Sequence, residues 1–403
     1  MDKRYNPHQI LSYTCLVLTG STDQLQDLVD GISQLVSTPA TLEDRDFNLV
    51  AFASQPDGLD LVRQRSILQR HSSPEVRAWF EGFGIAHSDR PVRTPADPEN
   101  EVLPRVCLPA RWNGVTYGYV WLLDVAGRLE DALLNGAMHE AARAGSLLAQ
   151  QARVRQRMEE RLQNLLSPEL AVAEDAAEEI SALGLVERDR RVAVVVLETL
   201  RAADWQSVPL NMWRLPRSVL AAAETDHISL LVPEPHSVAD IAKHALELYT
   251  EHLGSDARDG VVAGIGSPRD DLAAAYASWR EARLAVHVGR TVPAFRPTAA
   301  WADLGIYRLL ACGPRRVLRD VVVDPAVRRL LDAPDLLLTA HAYLDHAGSA
   351  QRTAAALNIH RQTLYHRLAK IERVTGLDLA DGRDRLRLHL GISLAPLVTE
   401  AVA

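Results

Sequence analysis

The chain has 403 residues, 47% of them hydrophobic and 24% charged, a globular balance that excludes a disordered or collagen-like polymer and allows two to four domains with their own cores. Its 44 Lys and Arg against 52 Asp and Glu give a net charge of −8, so nucleic-acid affinity requires a local basic region rather than the surface as a whole. Cys15, Cys107 and Cys312 are odd in number and far apart, which excludes a disulfide framework and points to a reducing cytoplasm.

No run of 18 apolar residues exists, and the N-terminal MDKRYNPHQILSYTCLVLTG has no clean signal-peptide core, so a soluble cytoplasmic protein without a membrane partner is expected. Residues 9–127 read as one α+β unit. TDQLQDLVDGISQLVS predicts a helix that buries Leu25, Leu28, Val29, Ile32 and Leu35. FNLVAFAS reads as a strand, and RTPADPEN as a polar turn cluster. RVCLPARWNGVTYGYVWLLD reads as a β-hairpin with Asn113-Gly114 at its turn. This layout resembles a GAF-type sensory domain, which implies that a signal is received here. Cys107, Tyr117, Tyr119 and Trp121 lie on or beside the hairpin, where they either line an effector pocket or form plain core.

Residues 128–166 read as a helical connector, with Val154, Met158, Leu162 and Leu165 as an apolar stripe. A coiled coil pairing two subunits and a long helix packed on its own domain both fit. Ser167-Pro168 breaks the run, and residues 167–300 form a second α/β unit. RVAVVVLE, HISLLVP and VVAGIGSP are its strands; VADIAKHALELYTEHL and DDLAAAYASWREARLAVHV are its helices. VAGIGSP, SWREARLAV and the later WADLGIYRLLA resemble the ferredoxin-like, GGDEF-like middle domain of a bacterial regulator family. Where a diguanylate cyclase carries its signature, this chain reads Ala223-Glu224-Thr225-Asp226-His227. Both glycines that admit a nucleotide phosphate are missing, and Asp226 alone does not hold two Mg²⁺ ions, so a non-catalytic unit is expected. Gly264-Ile265-Gly266 lacks the rest of a phosphate loop and reads as a tight turn after a strand.

Residues 301–345 read as a helical bridge punctuated by Pro314, Pro325 and Pro334. The most telling stretch follows, SAQRTAAALNIHRQTLYHRLAKIERVTG, which reads as two helices joined by a tight turn. Ser349 is a good N-cap, and Ala350, Thr353, Ala354 and Leu357 share one face, with the polar Thr353 expected at the edge of the contact. Asn358 tolerates the left-handed conformation that ends a helix, and Ile359 plugs the turn. In the second helix Leu364, Leu368 and Ile371 face inward, which centres the outer face on Gln362, His366, Ala369 and Arg373. Thr363, Tyr365 and Lys370 flank that face, and Arg367 sits nearer the protein edge. Gln and Thr suit base edges; Arg361, Arg367 and Lys370 suit phosphates. From Ser349 to Leu390 there are eight Arg or Lys against four Asp or Glu, a local +4 within the acidic chain. Asp381 or Asp384 caps a last helix that braces the pair.

AALNIHRQTLYHRLAKIERVTGLDLADGRDRLRLHLGISL resembles the C-terminal DNA-binding domain of the PucR/CdaR family of bacterial transcription regulators. His360, Arg361, Thr363, Leu364, Arg367, Leu368, Ile371, Glu372, Thr375, Gly376, Leu377, Asp378 and Leu379 carry the match, with Asp384, Arg385, Leu386 and Leu388 beyond them. Two outer-face residues depart from the family, which usually has Asn at Gln362 and Tyr at His366. The resemblance implies a helix-turn-helix domain over residues 346–397 and a multidomain α+β regulator. Double-stranded DNA, a second copy of the chain and an unidentified small-molecule effector are the expected partners, and Arg361, Gln362, Thr363, Tyr365, His366, Arg367, Lys370 and Arg373 the DNA-contacting residues. No cofactor, metal site or catalytic constellation is expected. A divergent nucleotide cyclase and a protein-binding scaffold are the rival readings.

Overall fold

A computed structural model describes residues 23–53, 74–97, 102–125, 127–201, 215–216, 218–253 and 260–399; Cys15 lies outside them. The N-terminal part opens with helix α1 (23–36) and holds strands β1 (Ala40–Asp44), β2 (Leu49–Ala53), β3 (Val92–Thr94), β4 (Arg105–Trp112) and β5 (Val115–Leu123), with helix α2 (Pro74–Glu81) between β2 and β3. The strands form one antiparallel sheet in the order β2-β1-β5-β4-β3. The β4–β5 hairpin turns at Asn113 and Gly114, both at positive φ (48° and 81°), as a tight two-residue turn requires. Leu25, Leu28, Val29 and Ile32 of α1 are buried, but Leu35 is 45% exposed and Val36 takes the inward place. At 100° per residue Val36 falls at the centre of the Leu25–Ile32 stripe and Leu35 at its edge, which corrects the expected set.

Helix α3 (Asp131–Leu165) spans 35 residues, about 52 Å at 1.5 Å per residue. Its first half packs on the N-terminal sheet through Leu134, Ala137, Ala141, Ala144 and Leu148. Gly145 lets it touch the strand, since a Cβ there would lie 2.6 Å from the backbone at Ala110 and Arg111. Its last turn leaves that sheet and buries Leu162 and Leu165 in the core of the following unit, against helix α4 (Leu170–Ala182). One rigid element therefore belongs to two cores, with Val154 and Met158 half-buried between them.

The middle unit holds strands β6 (Val192–Thr199), β7 (Leu220–Ala223), β8 (Ile228–Pro233), β9 (Val261–Ile265) and β10 (Thr298–Ala300) in the order β10-β9-β6-β8-β7. Among the described residues α4, α5 (Val238–Leu253) and α6 (Ala275–Thr291) pack with it. β6 is central and buried throughout, which is why it reads as an unbroken β-branched run. Gly264 and Gly266 sit where α6 meets β9: a Cβ would fall 2.1 Å from the Ala282 carbonyl and 1.9 Å from that of Ser278. Close helix–sheet packing explains this glycine pair.

Helices α7 (Arg315–Val322), α8 (Pro325–Leu331), α9 (Pro334–Asp345), α10 (Ala350–Ala356), α11 (Arg361–Thr375) and α12 (Gly382–Thr399) complete the described chain. Residues 301–345, expected as a bridge, pack into the same core as the helix pair. That core joins Ala285 and Val288 of α6 to Trp301, Leu304, Val327, Leu330, Leu364, Leu368, Ile371 and Leu388 without interruption. The His287 ring also meets the Leu397 carbonyl at 2.9 Å, tying α6 directly to α12.

Asp324 pins two helices of this core. Its carboxylate accepts the Ala326 and Val327 N–H groups at 2.8 and 3.0 Å as the N-cap of α8, and it takes the Arg387 guanidinium of α12. Partial burial alone would raise its pKa, yet these hydrogen bonds hold it below the ordinary carboxylate value. A folded pKa below the unfolded one means that the stabilisation is present above about pH 4 and is lost as pH falls through the folded value. We expect Asp324→Ala to lower stability by about 1–2 kcal/mol at pH 7 in urea unfolding, with the gap from wild type closing in strong acid. An equal gap at both pH values would contradict this role.

Candidate nucleic-acid interface

The helix pair forms because each boundary is chemically marked. Ser349 caps α10 through Oγ, which accepts the Arg352 N–H at 3.4 Å. Thr353 and Ala354 are the buried residues of α10. Thr353 is fully enclosed rather than at the edge, because its hydroxyl donates to the Ser349 carbonyl at 2.8 Å and only its methyl meets the core. Asn358 adopts φ 52° and ends the helix, and Ile359 packs on the core. The ring Nδ1 of His360 accepts the Gln362 N–H at 3.3 Å and caps α11. Gly376 closes α11 at φ 75°, donating its N–H to Glu372 at 2.7 Å.

The 15 residues of α11 have two unlike sides. Leu364, Leu368, Ile371 and Thr375 are buried. Truncating such a leucine to alanine costs about 2–5 kcal/mol, so this stripe fixes how the helix is turned. The rest of its surface carries Arg361, Gln362, Thr363, Tyr365, His366, Ala369, Lys370 and Arg373, all exposed, with Tyr365 59% exposed. Among the described residues none of Arg361, Lys370 and Arg373 is paired with a carboxylate.

The nearby acidic groups are turned to other work. Glu372 accepts the Leu379 N–H at 3.0 Å, Asp384 accepts that of Asp378 at 2.8 Å, and Asp381 caps α12 by accepting the N–H groups of Arg383 and Asp384 at 2.7 and 3.2 Å. The outer face therefore keeps its positive charge.

Arg367 sits nearer the protein edge than the other cations of α11, as expected. It is half-buried, and its Nη1 donates to Thr339 Oγ1 of α9 at 3.2 Å, bracing the helix from the side. Arg329 of α8, which the sequence reading passed over, donates to the Val374 and Thr375 carbonyls at 2.7 and 2.9 Å. A cation at a helix C-terminus satisfies orphan carbonyls and opposes the negative end of the dipole. The only sequence signal was a pair of arginines in a short apolar helix.

The expected effector residues are split. Cys107 and Trp121 are buried with Phe47, Phe80, Ile85, Val102 and Tyr119 on the sheet face opposite α1 and α3. Trp121 donates from Nε1 to the buried Glu43 carboxylate at 2.9 Å. Burial, then the Glu43 charge, pushes the Cys107 thiol well above its ordinary pKa. Tyr117 instead packs beside α3. Tyr119, its hydroxyl raised to about 12 mainly by burial, reaches an open groove of about 510 Å³ that Arg45, Arg77, Glu81, His87 and Arg111 also line.

The degenerate turn of the middle unit is closed by ion pairs. Residues Glu224 and His227 hydrogen-bond across the β7–β8 turn at 2.8 Å. Glu198 at the end of β6 and Asp226 in the turn both engage Arg283 of α6, at 2.8 and 3.1 Å, and Arg290 adds a second contact to Glu198 at 3.0 Å. Burial would raise the Asp226 pKa, but hydrogen bonds from His227 and Arg283 hold it below the usual carboxylate value.

Known proteins bear on these two regions. Residues 336–394 match the PucR C-terminal helix-turn-helix domain, and residues 167–288 match the GGDEF-like domain. The DNA-binding transcriptional activator AdeR of Bacillus subtilis is 23% identical over 93% of this chain and 93% of its own length. The proline-responsive transcriptional activator PutR of the same organism is 24% identical over 93% of this chain and 97% of its own length. A solved regulator of polyketide synthase expression from Bifidobacterium adolescentis is 19% identical and covers 60% of this chain and 98% of its own, with a TM-score of 0.29.

Proposed function

We propose how this chain, a transcriptional regulator of the PucR family, reads and controls DNA: the outer face of α11 enters the major groove, and the remaining units govern when it does. One observation carries the reading. The helix is locked by a buried stripe on one side and presents a basic, polar side to solvent on the other. Gln362, Thr363 and His366, near the N-terminal end, read base edges; Arg361, Lys370 and Arg373 take phosphates, and Tyr365 flanks them. Arg367 supports binding by holding α11 on α9.

AdeR and PutR are both named transcriptional activators, which favours activation as the output here, and the name of PutR favours a small-molecule signal. Residues 9–127 serve as the GAF-like sensor, and the α+β plan of the N-terminal sheet supports that assignment. One helix pair covers only a few base pairs, so a homodimer acts on paired half-sites, joined through the solvent-facing middle of α3. The protein works in the cytoplasm, where DNA is. The middle unit is a scaffold, not an enzyme: Asp226, the one carboxylate at its signature position, is bound by Arg283, which also pairs with Glu198.

Three outcomes test this. In band shifts against an operator library, Gln362→Ala should change base preference by about 1–3 kcal/mol at one position. Lys370→Ala should weaken all sequences alike and lower the salt slope by about 1. Identical binding by both variants and wild type would remove the helix-face assignment. The full chain with Mg²⁺ and GTP should release no cyclic product, and product formation would restore the cyclase reading.

A further inference from the structure

Two histidines and one aspartate from distant parts of the chain converge on the side of the C-terminal bundle. His341 and Asp345 lie one turn apart on α9, and His389 lies on α12. The Nε2 atom of His389 is 3.0 Å from Asp345 Oδ1, and the Nε2 atom of His341 is 3.7 Å from Asp345 Oδ2. The two rings stand edge-on with centroids 6.2 Å apart, and the three ligand atoms all lie within 4.8 Å of one another.

That spacing has a chemical meaning. A zinc ion holds nitrogen and oxygen ligands at about 2.0–2.2 Å in a tetrahedron, which places neighbouring ligand atoms roughly 3.3 Å apart. The separations from the two Asp345 oxygens, 3.0 Å to Oδ1 and 3.7 Å to Oδ2, fall on either side of that distance. Imidazole donors select zinc, nickel or copper over magnesium and calcium, which prefer all-oxygen cages. Partial exposure of all three side chains gives an ion a path in.

We propose that His341, Asp345 and His389 form a site for a divalent transition metal, with zinc as the fitting ion, that clips α9 to α12. No bond to carbon changes; two neutral imidazoles and one carboxylate donate electron pairs to the ion. The clip joins α9, which receives Arg367 of the recognition helix, to α12, whose Leu388 lies in the same core as Leu364. Metal that binds the folded bundle and not the unfolded chain stabilises it by mass action. The site is separate from the outer face of α11 and stands whether or not that face reads DNA.

The test uses untagged full-length protein stripped with a chelator, then titrated with zinc chloride by calorimetry and thermal unfolding. Wild type should take up one zinc per chain in the micromolar range or tighter, and its melting temperature should rise with zinc but not with magnesium. His389→Gln and His341→Asn should each weaken zinc binding by about tenfold or more, while His139→Ala on α3 should bind as wild type does. Circular dichroism in zinc-free buffer confirms that the variants are folded, and Asp345→Asn serves where a histidine variant is not. Equal zinc uptake by wild type and the variants, or no uptake at micromolar zinc, would overturn the proposal.

Discussion

The recognition helix is held by one apolar stripe, and everything else about this protein depends on that asymmetry. Leu364, Leu368 and Ile371 bury in a core to which Val327, Leu330 and Leu388 also belong. Once they are fixed, the helix cannot rotate, and the polar residues between them must face water. Two arginines refine the pose: Arg367 braces the flank on Thr339, and Arg329 finishes the C-terminal carbonyls. Cations that a composition count assigns to DNA thus divide into those that face outward and those that hold the helix in place.

The same core explains how distant units can influence that helix. It runs from α6 of the middle unit into the helix pair as one continuous cluster, and the His287 contact to Leu397 adds a polar tie. At the other side α3 enters both the N-terminal core and the middle core. A change in the N-terminal sheet thus has a packed route towards the DNA-binding end, through helices that each enter two cores. Coupling along such a route requires two discrete arrangements of the packed elements. In the middle unit, the Arg283 guanidinium bridges Glu198 at the end of β6 and Asp226 in the β7–β8 turn, which ties that turn to α6.

Much of this was legible in the residues themselves. The period of Leu364, Leu368 and Ile371, the cap at Ser349, the left-handed Asn358 and the hairpin at Asn113-Gly114 are local signals, and the structure carries each of them. Thr353 misled because hydropathy does not show a hydroxyl satisfied by the carbonyl four residues back. Leu35 misled because it sits at the rim of its helical face while Val36 sits at the centre. The contacts of Arg367 and Arg329, the sharing of α3 between two cores, and the meeting of His341 and Asp345 with His389 are tertiary facts. The last joins residues 44 apart in sequence, and the His-x-x-x-Asp spacing on α9 was its only local trace.

The central claim is that one side of α11 lies against the bases. A DNA-cleaving reagent attached through His366→Cys, in a chain whose Cys15 and exposed Cys312 have both been changed to serine and whose Cys107 is buried, maps that contact directly on an operator fragment. Cuts should cluster in the major groove at the centre of each half-site, while the same reagent at Leu386→Cys, on the bracing helix, should cut weakly or outside it. Strong central cutting from position 386 and none from position 366 would show that a different surface meets the DNA.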